Sequence, residues 1–131
     1  MDTIFALATP EGKSGVAIIR VSGKNAFKLF EKFSCPPVKP NGMGLRKLIV
    51  DNKLLDEALI LCFGEGHSFT GEKVVEIHHH GSLAIIHVCL SVLGSIGDFR
   101  MANPGEFTKR AFEHGRLDLS QVEGLSALID A

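Results

Sequence analysis

The stretch that decides the fold reads Val16-Ala17-Ile18-Ile19-Arg20-Val21-Ser22. Its apolar, β-branched residues predict a buried strand, and turn formers at positions 10–15 separate it from a second β-rich run at positions 4–9. Arg20 is the only charged residue in the strand. Because an unpaired buried guanidinium is very costly, its side chain must either reach the sheet edge or meet a carboxylate. We favour a salt bridge within the protein.

The rest of the chain predicts further helices and strands. Apolar residues at helical spacing indicate two helices, at positions 25–33 and from Ser82 to Gly94 or Gly97. The second is apolar on most sides, so we expect it to be buried. β-rich runs predict four more strands, at positions 45–50, 58–63, 73–79 and 99–102, the first two joined by a turn at 51–53. We expect one α+β domain over residues 1–131, with a mixed, largely antiparallel sheet and packed helices.

Composition and charge exclude several classes of protein. The 131 residues include fourteen basic and fifteen acidic side chains, and a net charge of -1 offers no global field for nucleic acid or an anionic membrane. The three cysteines contain no CxxC pair, which argues against a disulfide framework or a zinc knuckle and favours a cytoplasmic location. The sequence shows no signal peptide and no apolar run long enough to span a membrane.

Two short motifs resemble chemical sites but lack the necessary context. Gly12-Lys13-Ser14 copies the end of a phosphate-binding P-loop, yet Leu7 stands at the first glycine position and a strand follows instead of a helix. We therefore expect a flexible turn there. His78-His79-His80 could supply two metal ligands from one strand face, which Glu76 shares, but no third ligand has a diagnostic spacing. We predict no metal site, and a polar strand end near a pocket.

The segment at positions 103–121 combines two helix-start signals with basic side chains. The proline at position 104 suits the first turn of a helix that runs to Gly115, and Asp118 with the glutamine three residues later forms a capping box for a final helix. The basic residues of this segment are Lys109, Arg110 and Arg116. They form either a solvated helical face or part of an anion-binding site.

The last helix still follows helical periodicity when the sequence stops at Asp130-Ala131. No glycine cap ends it, and an acidic residue stands where the helix dipole disfavours one. We expect a domain taken from a longer protein, and a frayed natural terminus is the alternative.

Short motifs in a fixed order span the whole chain: Asp2-Thr3-Ile4, Ala8-Thr9-Pro10, Gly15 to Gly23, Ser68-Phe69-Thr70-Gly71-Glu72, Val75-Glu76-Ile77, His80-Gly81, Pro104-Gly105-Glu106-Phe107-Thr108, Arg110-Ala111-Phe112 and Leu117-Asp118-Leu119-Ser120-Gln121. Together they resemble the N-terminal domain of the tRNA modification GTPase family MnmE, also called TrmE. The resemblance implies a fold similar to the tetrahydrofolate-binding domain of the glycine-cleavage T protein, a site for 5-formyltetrahydrofolate or a related folate, and a homodimer.

The same resemblance implies a longer protein that continues into a helical domain with an inserted G domain. That G domain would bind GTP, potassium and magnesium, and the whole protein would act with the flavoprotein MnmG on the wobble uridine of tRNA. This chain contains no P-loop and no Asn-Lys-x-Asp motif. We therefore expect no catalytic residues in it and no GTP hydrolysis by it alone.

Matched position by position, the resemblance implies folate contacts at Arg20, Glu76 and Arg116, the last standing where the family commonly has lysine. Pterin N–H donors suit a carboxylate, and carbonyl or carboxylate oxygens suit guanidinium groups. We expect Phe69 and Phe107 to be core residues rather than to stack on the pterin, and Lys109 and Arg110 to be surface charges. The alternatives are a purely structural dimerisation module and a stand-alone folate-dependent aminomethyltransferase.

Overall fold

The computed structural model describes residues 2–9, 15–118 and 120–121. Six strands of this part of the chain form one sheet, and they are β1 (Thr3–Leu7), β2 (Val16–Ser22), β3 (Gly42–Val50), β4 (Lys53–Phe63), β5 (Val74–His80) and β6 (Phe99–Met101). Their order across the sheet is β3-β4-β5-β2-β1-β6. Only β1 and β6 pair in parallel, and all other neighbours are antiparallel. The predicted α+β class and the mixed, largely antiparallel sheet are therefore confirmed.

Three helices accompany the described strands: α1 (Leu29–Lys32), which continues a 3-10 turn at Ala26–Lys28, α2 (Leu83–Gly94) and α3 (Glu106–Glu113). Ser82 occupies the N-cap position of α2 as predicted, but its side chain makes no capping hydrogen bond, and its carbonyl accepts the first helical hydrogen bond from the amide of Ile86. None of the helices in the described ranges is long and apolar enough to cross a membrane.

The expectation that α2 is buried is correct for only one side of the helix. Ile86, Cys89 and Leu93 are buried, whereas Leu83 is 48% exposed. The helix contacts β1, β6 and α1 on one side, so its outer side chains face solvent although several of them are apolar. An apolar helix sequence alone does not determine how much of the helix surface is covered by other elements.

Strand alternation separates the two faces of the sheet. In β2, Ala17, Ile19 and Val21 are buried on the face that packs against α1 and α2, while Arg20 points to the opposite face. In β5 the same alternation sends Glu76 to that opposite face. We call this second surface the open face, because its part nearest β3 carries exposed apolar side chains. The core fills one side of the sheet, and the charged side chains of β2 and β5 occupy the other.

Two local motifs that the sequence predicts, a hairpin turn and a capping box, are present in the structure. Asp51 and Asn52 both have positive φ, 51° and 62°, which suits the two-residue hairpin turn between β3 and β4. The predicted capping box is present, because the Asp118 amide donates to Gln121 Oε1 at 2.8 Å and the Gln121 amide donates to Asp118 Oδ1 at 2.8 Å. Gly12-Lys13-Ser14 and the rest of the segment for which the last helix was predicted lie outside the described residues.

All three cysteines are free and buried. Burial raises the pKa of the Cys62 thiol to about 11 and that of the Cys89 thiol to about 12. Both thiols are therefore protonated at neutral pH and pack as small apolar side chains.

Arg110 fastens α3 to the sheet from a buried position. Only 3% of it is exposed, so the expectation of a surface charge is wrong. Its Nη1 donates to Glu72 Oε1 at 3.0 Å and to the Asp2 carbonyl at 2.8 Å, and its Nη2 donates to Asp2 Oδ1 at 2.8 Å. Glu72 also accepts from the Ser22 hydroxyl at 2.9 Å. One guanidinium thus joins α3 to the residue that precedes β1 and to the loop before β5.

A second arginine, Arg100 of β6, forms further ion pairs next to the buried Arg110 guanidinium. It donates to the Asp2 carboxylate, and its Nη1 donates to Glu106 Oε1 at 2.8 Å. The Arg100 hydrogen bond is the main reason that the pKa of Glu106 falls to about 2, and it also lowers the pKa of Asp2. Carboxylates so held stay ionised at neutral pH and keep α3 attached to both β1 and β6.

We predict that Arg110→Ala lowers the free energy of unfolding by about 3 kcal/mol, because it leaves the largely buried Glu72 carboxylate without its cation. Urea unfolding of the two proteins measures the difference. Lys109→Ala is the matched control, since Lys109 is the exposed neighbour in the same helix and should change the free energy by less than about 0.5 kcal/mol. Equal effects from the two substitutions would contradict a structural role for Arg110.

His79 is the one buried titratable side chain of β5. It is 2% exposed, its Nδ1 lies 2.7 Å from the His80 carbonyl, and its Nε2 has no hydrogen-bond partner among the described residues. Burial lowers its pKa below the ordinary value of 6.5. In the folded protein the ring is therefore neutral, with Nδ1 donating to the carbonyl.

This lowered pKa predicts a loss of stability on mild acidification. Below about pH 6.5 His79 becomes protonated in the unfolded chain, whereas in the folded chain it stays neutral until a lower pH. The free energy of unfolding therefore falls as the pH drops. The carboxylates with lowered pKa contribute a similar loss only below about pH 4.5. His79→Leu should flatten the stability curve between pH 7 and 5, and His67→Gln, at an exposed position, should not. Identical pH slopes for wild type and His79→Leu would show that this ring is not responsible.

Candidate functional site

A cavity of about 420 Å³ opens on the open face of the sheet, beside the loop that joins β4 to β5. Three of its lining residues come from that loop and four from strands: His67, Ser68 and Phe69, and Arg20, Phe63, Val74 and Glu76. The volume is within the range of small-molecule sites in proteins. Two of the three residues implied by the resemblance therefore line a single cavity.

Arg20 and Glu76, both of which line this cavity, form an ion pair. They are directly opposite in the antiparallel pairing of β2 with β5, which places their side chains together on the open face. Arg20 Nε donates to Glu76 Oε2 at 3.0 Å, and Nη2 lies 2.9 Å from the same oxygen. The predicted salt bridge of Arg20 is thus confirmed, and its partner is the other strand residue proposed for the site.

The ion pair is not sealed from solvent. The Arg20 side chain is 32% exposed and that of Glu76 is 17% exposed. The contacts with Glu76 use two of the five N–H donors of the guanidinium, and each carboxylate oxygen can accept more than one hydrogen bond. The pair can therefore offer both donors and an acceptor to a molecule in the cavity while its members remain paired to each other.

An aromatic ring from α3 covers part of Arg20. The centroid of the Phe107 ring lies 5.9 Å from the guanidinium carbon, and Phe107 is half-buried. A ring at this distance attracts the cation and restricts its movement. Because the charge network around Arg110 holds α3 in place, it also determines where this ring lies.

The loop between β4 and β5 is held by its own hydroxyl groups. Ser68 Oγ donates to the Glu72 carbonyl at 2.6 Å and accepts from the Gly71 amide at 3.0 Å. Thr70 Oγ1 lies 2.7 Å from the hydroxyl of Ser22 in β2. Both loop hydroxyls are buried, so the backbone between them is fixed against the sheet.

Phe69, between these two anchored residues, is 44% exposed and lines the cavity. The expectation that it belongs to the core is therefore wrong. Its polar neighbours take the buried positions because their hydroxyl groups form the hydrogen bonds that hold the loop, and the aromatic ring is left partly exposed beside the cavity. The alternation of small hydroxyl residues around a single aromatic residue was the available signal in the sequence.

Arg116 lies next to the cavity but does not line it. It is exposed, and its Nη1 donates to the carbonyl of Gly66, in the same loop, at 3.3 Å. Gly115 places it there: with φ of 72° it ends α3, and the Arg116 amide then donates back to the Ala111 carbonyl at 2.8 Å. The structure thus brings Arg20 and Glu76 together and places Arg116 on the loop that forms one wall.

Close packing fixes the position of this arginine relative to the loop. Gly71 has φ of 83°, and a Cβ added to it would lie 2.9 Å from the Cβ of His114 and 3.3 Å from the Cγ of Arg116. Only glycine allows the end of α3 to approach the loop so closely.

The three consecutive histidines have separate surroundings. His78 Nε2 lies 3.1 Å from Glu76 Oε1, and His80 Nδ1 lies 2.8 Å from Asp56 Oδ1, while His79 is buried on the core face. Among the described residues, no group of three histidine, cysteine, aspartate or glutamate side chains is placed to hold a metal ion.

Comparison with known proteins identifies the family. A family model described as GTP-binding protein TrmE N-terminus matches residues 3–116. The chain is 51% identical over 132 residues to the tRNA modification GTPase MnmE of Ruegeria sp. (strain TM1040), and 49% identical over 131 residues to that of Cereibacter sphaeroides (strain ATCC 17025 / ATH 2.4.3). Each alignment covers 100% of this chain and 31% of the relative, so the chain spans less than a third of those proteins.

The match to a relative in Wolbachia pipientis subsp. Culex pipiens (strain wPip) is similar, at 48% identity over 99% of this chain. The resemblance found in the short motifs is thus confirmed over nearly the whole sequence, and the chain belongs to the family of TrmE N-terminal domains.

Proposed function

We propose that this chain is the N-terminal module of a tRNA wobble-uridine modification GTPase, and that it binds 5-formyltetrahydrofolate or a related one-carbon folate and forms a homodimer. The observation that supports the ligand most directly is the Arg20–Glu76 ion pair, which is partly exposed and lines a cavity. The names of the relatives support the wider role in tRNA modification. A cytoplasmic location stays a prediction.

The chemistry of a pterin ring suits the two charged residues. Its amino and ring N–H groups are donors for the Glu76 carboxylate, and its carbonyl oxygen is an acceptor for the free N–H groups of Arg20. Phe69, which lines the cavity, supplies an aromatic face for the bicyclic ring. One ring system would then meet an acceptor, a donor and an apolar surface in one cavity.

The position of Arg116 suits the other end of a folate. A folate carries a glutamate with negatively charged carboxylates, and these groups are strongly hydrated, so they favour an exposed cation over a buried one. Arg116 is such a cation, and it donates to the backbone of the loop that lines the cavity. We infer that the pterin lies inside and the glutamate end points towards Arg116.

The open face of the sheet supports self-association. Val16, Met43 and Leu45 are 52%, 67% and 63% exposed, and they lie on the same face of neighbouring or nearby strands. Exposed apolar side chains grouped in this way are typical of an interaction surface. The same observation favours the alternative of a purely structural dimerisation module, in which the cavity binds nothing.

We propose further functions for the part of the full-length protein that lies outside this chain. GTP, potassium and magnesium would be bound by a G domain outside this chain, and the flavoprotein MnmG and tRNA would be partners of the whole protein. No catalytic residue is proposed here.

Isothermal titration calorimetry with 5-formyltetrahydrofolate separates the folate-binding module from the purely structural one. We predict saturable binding of one ligand per chain, weakened by roughly 1 to 3 kcal/mol in Arg116→Ala because a charged hydrogen bond is lost. Lys109→Ala, which removes an exposed cation from the same segment, should bind like the wild type. Absence of binding by a folded wild-type chain would refute the folate proposal.

Sedimentation velocity tests the homodimer. We predict a dimer at micromolar concentration, and a shift towards monomer in Leu45→Glu, because a carboxylate would then have to be buried in an apolar interface. Leu83→Glu is the control, since Leu83 is similarly exposed but belongs to α2 on the other side of the sheet. A wild-type chain that stays monomeric at high concentration, or equal effects of the two substitutions, would contradict dimerisation through the open face.

A further inference from the structure

The Glu76 carboxylate is held from two sides, and only one of them faces the cavity. Both contacts with Arg20 reach one oxygen, Oε2. The other oxygen, Oε1, lies 3.1 Å from His78 Nε2. His78 follows Glu76 by two positions in β5, so strand alternation places both side chains on the open face.

His78 lies outside the ligand cavity. Its cross-strand neighbours are Leu59 in β4 and Ile18 in β2, and it lines a separate surface cavity together with Leu45 and Val16. Its side chain is 23% exposed. A molecule in the Arg20–Glu76 cavity would therefore meet the carboxylate and not the imidazole.

The contact requires a proton on His78 Nε2. A carboxylate oxygen accepts hydrogen bonds and cannot donate one, so the ring must be either the neutral form protonated at Nε2 or the doubly protonated cation. In both forms the imidazole donates to Oε1, and its position beside the strand sets the plane of the carboxylate.

We propose that His78 is a positioning residue for the ligand site, which fixes the plane of the Glu76 carboxylate so that this group is oriented to accept N–H donors of a bound heterocycle. This inference rests on the proposed function for its ligand. With Arg20 alone, two hydrogen bonds would converge on one oxygen and the carboxylate could still rotate about its last bond. The hydrogen bond from His78 restricts this rotation before the ligand binds. Less conformational entropy is then lost on binding, so the affinity is higher.

Two substitutions separate the hydrogen bond from the packing of the ring. His78→Leu keeps an apolar side chain between its neighbours but has no donor, and we expect it to weaken 5-formyltetrahydrofolate binding roughly three- to tenfold. His78→Gln restores an N–H donor and should recover most of the affinity. His80→Gln alters another imidazole–carboxylate pair of the same strand, outside the ligand cavity, and should leave the affinity unchanged. Thermal unfolding confirms that each variant is folded.

A measurement without ligand tests the contact itself. Long-range proton–nitrogen correlation spectra of the histidine rings should show Nε2 of His78 protonated, and the His78 signals should shift in Glu76→Ala. An unprotonated Nε2 in the wild-type chain would overturn the inference, whether or not folate binds.

The binding outcomes are equally distinct. If the wild-type chain binds folate and His78→Leu binds it equally well, the positioning role is wrong while the proposed function stands. If His78→Gln is as weak as His78→Leu, the effect comes from packing and the inference is again overturned. If the wild-type chain binds no folate, the proposed function fails, and the ligand role of His78 is overturned with it.

Discussion

The buried guanidinium of Arg110 is the constraint on which the candidate site depends. A cation that is 3% exposed must be paired, and its partners are Asp2, just before the first strand, and Glu72, in the loop before β5. Satisfying it therefore brings three distant parts of the chain together. Helix α3 is held over the open face, which places Phe107 above Arg20, and the loop is held at Glu72, which fixes the wall that carries Phe69.

A second constraint, the register between β2 and β5, supplies the chemistry of the site. Because Arg20 and Glu76 are directly opposite, their charges meet without any loop having to be ordered. Partial exposure limits the desolvation cost of the pair and leaves polar atoms accessible from the cavity. The charge network around Arg110 and the Arg20–Glu76 pair thus have different roles. The Arg110 guanidinium is buried and holds the structure together, whereas the Arg20–Glu76 pair is accessible from the cavity.

Features governed by neighbouring residues could be predicted from the sequence. The Asp51-Asn52 turn, the start of α2 after Ser82 and the reciprocal bonds between Asp118 and Gln121 all follow from the local preferences of turns and caps. The salt bridge of Arg20 was also predictable, because a charge inside an apolar strand has few alternatives. Its partner was not, since it lies 56 positions further along the chain.

The errors also have a common physical origin. Arg110 resembles any other charge on a short helix, and only the distant Asp2 and Glu72 make it a buried residue. Phe69 resembles a core aromatic residue, and only the hydrogen bonds of its neighbours to the loop and to Ser22 leave it exposed. The relation of Arg116 to the cavity likewise depends on the close approach of α3 to Gly71. The burial or placement of each of these side chains depends on contacts with residues distant in the sequence. Patterns within a single sequence do not reveal such contacts.

The central claim is that a folate places its pterin between the Arg20–Glu76 pair and Phe69, within a domain whose family membership is established by its relatives. A crystal structure of this chain with 5-formyltetrahydrofolate tests that claim most directly. We predict pterin N–H groups within hydrogen-bond distance of the Glu76 carboxylate and the glutamate end of the ligand towards Arg116. A ligand bound elsewhere on the domain, with the Arg20–Glu76 cavity unoccupied by it, would contradict the account.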